Sequence, residues 1–201
     1  MVRADISQWP GRLLSIIVLS LMSYGQHVQA AGEHQTHSER QASMALTITS
    51  PAFQHKGDIP ARYSCDGDDI SPELRWSDMP AGTKSLVLIV DDPDAPDPAA
   101  PKMTWVHWVL YNIPPDAGGL PEQAASAGLP PGTGEGLNDW KRAGYGGPCP
   151  PIGTHRYFFK LYALDAVLPD PGEATRAKVE QAMQGHILEQ AELIGTYKRQ
   201  R

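Results

Sequence analysis

The sequence predicts a mainly β domain of the α+β kind, in which separated strands come first and helix is held back to the C-terminal end. Three observations carry this. Segments such as Thr104–Ile113 (TWVHWVLYNI) and His155–Leu164 (HRYFFKLYAL) alternate with the two-residue period of a strand. Strand-like segments follow one another without the alternating strand–helix order that a parallel sheet needs. The 19 glycines and 19 prolines of this 201-residue chain supply many turns. Together they are about a fifth of the residues, below the roughly 25–30% that marks low-complexity sequence.

In chain order, Met1–Arg12 carries Arg3 and Arg12, Leu13–Met22 is a ten-residue apolar run, and Val28-Gln29-Ala30 offers a small-residue exit. Basic start, short apolar middle and small exit read as a secretory signal over residues 1–30. Ten apolar residues are too few for a bilayer, which needs about 20. The expected location is therefore exported, periplasmic or secreted, after cleavage near Ala30. Residues 31–43 are polar and read as a flexible leader; residues 44–201 read as a single domain.

Within that domain Leu46–Thr49 alternates, Leu74-Arg75-Trp76 is a short strand, and Leu86–Val90 (LVLIV) is an unbroken apolar run. Its length and β-branching predict a strand buried on both faces. In Thr104–Ile113 the alternation puts Trp105, His107, Val109 and Tyr111 on one face. His155, Tyr157, Phe159 and Leu161 share a face of the next strand. The forty residues between these strands, Pro114 to Thr154, are rich in Gly and Pro, and loops of such length are often functional. Glu173–Gln184 is helical by pattern, Gly185 breaks it, and His186–Leu193 reads as a second short helix. Lys198–Arg201 reads as a solvated basic tail.

Lys and Arg number 17 against 23 Asp and Glu, for a net charge of −6. With no basic cluster, this argues against nucleic acid and against an anionic membrane surface as partners. Cys65 and Cys149 are either a disulfide, as an oxidising compartment permits, or two free thiols. Sequence does not supply the Cα separation that decides between them.

Asp92, His107 and His155 stand where strands meet loops or among aromatics. If the two histidine strands pair side by side, His107 with Trp105 and His155 with Tyr157 form one pocket wall that Asp92 reaches. Other readings stand beside this one. Asp91–Asp94 has turn composition, the two His and one Asp have the makeup of a metal site, and Cys149 with His155 could mimic a thiol nucleophile and base. No Gly-x-Ser-x-Gly elbow is present.

Asp92-Pro93-Asp94-Ala95-Pro96, Trp105-Val106-His107-Trp108 and Gly147-Pro148 through Gly153-Thr154-His155-Arg156-Tyr157 resemble, in order and spacing, the signature blocks of the phosphatidylethanolamine-binding protein (PEBP) family. Cys65-Asp66-Gly67, Ser71-Pro72, Gly146–Pro151 and Gly185–Tyr197 resemble its bacterial Raf-kinase-inhibitor-like branch. The resemblance spans roughly Leu46 to Lys198. It implies a fold of two antiparallel sheets with short flanking and C-terminal helices, and a small anion pocket that needs no metal or cofactor. Carried over by position, the pocket residues are Asp92, Trp105, His107, Gly147, Pro148, His155 and Tyr157. Two partly protonated imidazoles, backbone N–H groups near Gly147 and the Tyr157 hydroxyl would meet the anion, with Asp92 orienting one histidine.

The function implied is non-enzymatic binding of phosphate- or carboxylate-bearing ligands such as phospholipid headgroups. The alternative is a protein-interaction module that inhibits a peptidase or kinase-like target through the pocket-side loops. A homodimer is compatible with the resemblance, although no interface stripe is legible. The chain departs from animal members at Val106, where they carry a second histidine, and at Cys149, where they carry proline.

Overall fold

The structure, a computed structural model, describes residues 45–199; the expected signal segment and leader lie outside the described residues. Its strands are β1 (Thr47–Thr49), β2 (Gly57–Asp58), β3 (Leu74–Ser77), β4 (Ser85–Ala95), β5 (Met103–Ile113), β6 (Gly119–Leu120), β7 (Gly134–Glu135), β8 (His155–Leu164) and β9 (Ile187–Tyr197). Two helices, α1 (Ala124–Ala127) and α2 (Arg176–Met183), accompany them. The strands form a three-stranded sheet in the order β1-β3-β6 and a six-stranded sheet in the order β2-β9-β8-β4-β5-β7. Pairing is antiparallel apart from β2, which runs parallel to β9.

Strand β4 lies inside the larger sheet, which explains its unbroken apolar run. Leu86, Leu88 and Val90 pack with Trp76, Trp108, Phe159 and Leu161 in the core that both sheets share. Val87 and Ile89 point the other way, against Val109 and against Val179 and Met183 of α2. All five are at most 1% exposed, and each such burial stabilises by about 1.5–3 kcal/mol. The same alternation sends the next two residues to opposite faces. Asp91 turns toward α2, where Lys160 Nζ lies at 2.8 Å and Arg176 Nη1 at 3.1 Å. Asp92 turns toward the shared core.

Several sequence readings change. His186–Leu193 is not a second helix: Ile187–Tyr197 is a strand paired along its length with β8, from Leu164↔Ile187 to His155↔Tyr197. Gly185, at φ 82°, ends the helical segment, and strand pairing overrides the helix propensity of Leu, Glu, Gln and Ala. The preceding helix is real but shorter than expected. Thr175 caps it by accepting from Lys178 N–H, and it ends at Met183.

The alternation of Thr104–Ile113 is also interrupted. The register passes from Val90↔Trp108 to Asp91↔Val106, which leaves His107 as an extra, bulged residue. Val106 and Val109 therefore pack on the α2 side together with Tyr111, while Trp108 packs in the shared core. Finally, β5 and β8 do not pair with each other, because β4 lies between them. The Pro114–Thr154 stretch is broken up by β6, α1 and β7 rather than being one long loop.

Candidate functional site

At one end of β4, β5 and β8 lies a pocket of about 420 Å³. It is walled by Asp92, Trp105, His107, Gly147, His155 and Tyr157. Six of the seven residues singled out in the sequence thus meet there, around the central strand rather than on two neighbouring strands. Pro148 is not on the wall; its carbonyl accepts from Cys65 N–H at 3.1 Å. A larger open groove of about 720 Å³, between Asp58–Ala61 and Tyr197–Arg199, shares Pro150 and Pro151 with the pocket but includes none of the seven. Its Arg199 is tied to Asp66 (Nη2–Oδ1 2.8 Å), so this part of the basic end is not simply solvated.

The bulge in β5 aims His107 into a cage of rings. Its centroid lies 5.2 Å from both Trp140 and Tyr157, edge to face in each case. Nδ1 sits 2.6 Å from the carbonyl oxygen of Gly146. A carbonyl only accepts, so Nδ1 carries the hydrogen. Burial lowers the His107 pKa to about 4, although Gly146 and Asp139 favour the charged form. His107 is therefore neutral near pH 7, and it is not the partly protonated imidazole that the resemblance implied.

His155, fully buried, is engaged at both nitrogens: Nδ1 lies 2.7 Å from Asp92 Oδ2, and Nε2 lies 3.0 Å from the Ile152 carbonyl. Asp92 also accepts from Asp94 N–H at 2.8 Å. Burial raises the Asp92 pKa, and the His155 bond opposes that shift. Asp92 and His155 therefore form a strut between β4, β8 and the 152–155 turn. Asp94 is joined to Arg156 at 2.6 Å, and that bond lowers its pKa.

The loop at Gly147 is built by close approach. Its N–H donates to Asp69 Oδ1 at 2.6 Å, so it is not free for a ligand. A Cβ there would collide with the backbone oxygen of Tyr63, which only glycine avoids. Cys65 and Cys149, both on the pocket's edge, form a disulfide with Cα atoms 5.4 Å apart. The bond rules out the thiol-nucleophile reading of Cys149. Among the described residues no group of three or more His, Cys, Asp or Glu is arranged to hold a metal.

Two donors on the pocket residues lack partners. Tyr157 O–H and Trp105 Nε1–H are buried and find no hydrogen-bond partner among the described residues. Burial raises the Tyr157 pKa, so the hydroxyl keeps its hydrogen. Leaving such groups unsatisfied costs about 1–3 kcal/mol each.

Sequence reasoning missed Asp69, Trp140, Arg142 and Met103 on this wall. Trp140 and Arg142 are held by Asn138, itself 1% exposed, whose Nδ2 donates to the Gly144 carbonyl and whose Oδ1 accepts from Trp140 N–H. The Asn138-Asp139 pair between glycine-rich segments was the available signal, since Asn and Asp often organise a turn through their side chains. Arg142, over the Trp140 ring at 5.9 Å, is the one Lys or Arg among the described lining residues.

Two sheets, with a pocket at the end of β4, β5 and β8 of the larger one, make this a pocket-bearing β protein of the binding class. The chain belongs to the phosphatidylethanolamine-binding protein family, whose model matches residues 49–198. A UPF0098 protein of Methanothermobacter thermautotrophicus is 53% identical over 156 residues, which are 77% of this chain and 99% of the relative. Another, from Aquifex aeolicus, is 48% identical over 77% of this chain and 89% of its own length. Among solved structures, a PEBP homolog from Chlamydia trachomatis matches with TM-score 0.71 and 45% identity, covering 78% of this chain and 99% of its own. YbcL of E. coli, described as a member of the mammalian PEBP family, matches with TM-score 0.70 and 32% identity over 78% of this chain and 100% of its own.

Proposed function

We propose that this protein is a non-enzymatic receptor for a small ligand bearing a phosphate or carboxylate group, with a phospholipid headgroup in that class. The observation that carries the reading is a pair of buried, unpartnered donors, Tyr157 O–H and Trp105 Nε1–H, on two residues that line the pocket. An oxyanion supplies the acceptors they lack, and Arg142 supplies a nearby positive charge. At about 420 Å³ the pocket suits a headgroup rather than two acyl chains. Asp92, His155 and Gly147 act behind the contact surface, holding its shape.

Calorimetric titration with phosphate, phosphoethanolamine and acetate tests this. Saturable binding by at least one of them, weakened about tenfold in Tyr157→Phe, supports the reading. No binding by any of the three at millimolar concentration overturns it.

A second reading has its own observation. Met103 and Trp140, which line the pocket, are 52% and 41% exposed, and Ile152 of the adjoining groove is 56% exposed. An apolar rim of this kind suits a protein target whose acidic side chain enters the pocket. We further propose export, on the strength of the 1–30 segment and a disulfide that needs an oxidising compartment. N-terminal sequencing that begins near Ala31 supports export, whereas an intact N-terminus in the cytosol contradicts it.

A further inference from the structure

The proposed ligand class leaves open which protonation state the pocket takes, and the hydrogen-bond pattern of the wall bears on this. Trp105 Nε1–H can only donate, and the Tyr157 hydroxyl is without a partner among the described residues. His107 is different. Its Nδ1–H is fixed on the Gly146 carbonyl at 2.6 Å, so Nε2 of the neutral ring is a lone pair, on a residue that lines the pocket. The wall thus combines donors with an acceptor.

The other charged and titratable groups around His107 are already engaged. Asp139 Oδ2 accepts from Val106 N–H at 2.7 Å. His155 and Asp92 hold each other, and Asp69 holds Gly147 N–H with its second oxygen 4.0 Å from Arg142. A fully ionised oxyanion would set a lone pair against the lone pair of His107. An oxyanion that keeps one O–H would donate to Nε2 while accepting from Tyr157 and Trp105.

We infer that the pocket selects oxyanions that still carry a proton, such as a phosphate monoester monoanion, over oxyanions of equal charge that carry none. This rests on the proposed anion-binding function. The burial that keeps His107 uncharged makes ring protonation the costlier route.

Methyl phosphate and methyl sulfate are the probes. At about pH 5 both are monoanions of nearly the same shape, and only the phosphate has an O–H, because the second pKa of a phosphate monoester is about 6. The full mature protein is titrated with each by calorimetry, in two buffers of different ionisation enthalpy. The expected result is methyl phosphate bound at least about tenfold more tightly than methyl sulfate. Proton uptake should be near zero at pH 5 and approach one per ligand at pH 8, with affinity falling about tenfold per pH unit above the ligand's own pKa.

Equal affinity for the two probes at pH 5 overturns the inference while leaving anion binding intact. Uptake of one proton at pH 5 also overturns it, because the proton would then go to the protein instead of arriving on the ligand. Failure of both probes, together with phosphate and acetate, removes the anion-binding function itself and this inference with it.

Discussion

His107 owes its position to a single extra residue in β5. Without the bulge, strict alternation would align it with Val109 and Tyr111, which pack on the α2 side of the sheet. Bulged, it sits against Tyr157 and Trp140 at the pocket. Its buried, neutral state has a consequence for pH. A histidine whose folded pKa is lowered from 6.5 to about 4 binds a proton more readily in the unfolded chain, so stability rises with pH between those values and is level above 6.5. The contribution is about 3 kcal/mol across the window. Urea unfolding of the protein and of His107→Gln, at steps from pH 4 to 7, should show this rise in the first and its loss in the second. An identical pH dependence in both would mean that His107 is not the group responsible.

Much of the site was legible in the sequence at this scale. Asp92, Trp105, His107, His155 and Tyr157 lie on strands and within the blocks that resemble the family's signatures, although the bulge sends Trp105 and His107 to the pocket instead of the side of Val109 and Tyr111 that alternation assigns. Asp69, Trp140 and Arg142 come from loops. Their places are set by long-range contacts, such as Gly147 N–H to Asp69 across 78 positions of sequence, which no local pattern announces.

Among the elements, β4 does two jobs with adjacent carboxylates. Asp92 serves the pocket, and Asp91 pairs with Lys160 of β8 and with Arg176 of α2, the latter fastening the helix to the sheet. Asp91→Asn should cost about 1–3 kcal/mol, less than a fully buried pair, because Lys160 and Arg176 are about a quarter exposed and can turn to water. Hydrogen exchange should then speed up in α2 before it does in β8. Uniform acceleration would show that the pairing stabilises the whole sheet rather than docking the helix.

The apolar runs and clean alternation of β4 and β8 made those strands readable. The misread element was β9, because Ile187-Leu188-Glu189-Gln190-Ala191-Glu192 has a composition that also suits a helix. Only pairing with β8 reveals the strand, and its outer face is largely exposed or half-exposed. The short strands β2, β6 and β7, two residues each, exist by virtue of their neighbours and leave no periodic trace.

For the molecule as a whole, one covalent link joins the loop after β2 to the loop before β8. Cys65 and Cys149 are 84 residues apart in sequence. Closing a loop of that length stabilises by at most about 4–5 kcal/mol in the chain-entropy picture. Reduction should therefore lower the urea midpoint substantially, and thiol titration of the native protein should find no reactive cysteine. Two reactive thiols in the native state would contradict the bond.

The link also braces the pocket, since Pro148 and Gly147 are held to Cys65 and Asp69 on the same facing loop. The fold class, the central strands of the larger sheet and the pocket's address follow from sequence pattern and family resemblance. The wall chemistry of two free donors, one neutral histidine and one arginine follows from the packing alone.

The most direct test of that wall uses the tryptophan indoles as reporters in a nitrogen–proton NMR titration with phosphate. Trp105 Nε1–H and Trp76 Nε1–H are both buried and unpartnered among the described residues, but only Trp105 borders the pocket. Trp108 Nε1–H is bonded to Glu135 at 2.8 Å and adds a second internal control. The account predicts a saturable downfield shift of the Trp105 indole proton, with Trp76 and Trp108 unmoved. A stationary Trp105 signal at saturating phosphate, or equal movement of all three, would contradict it.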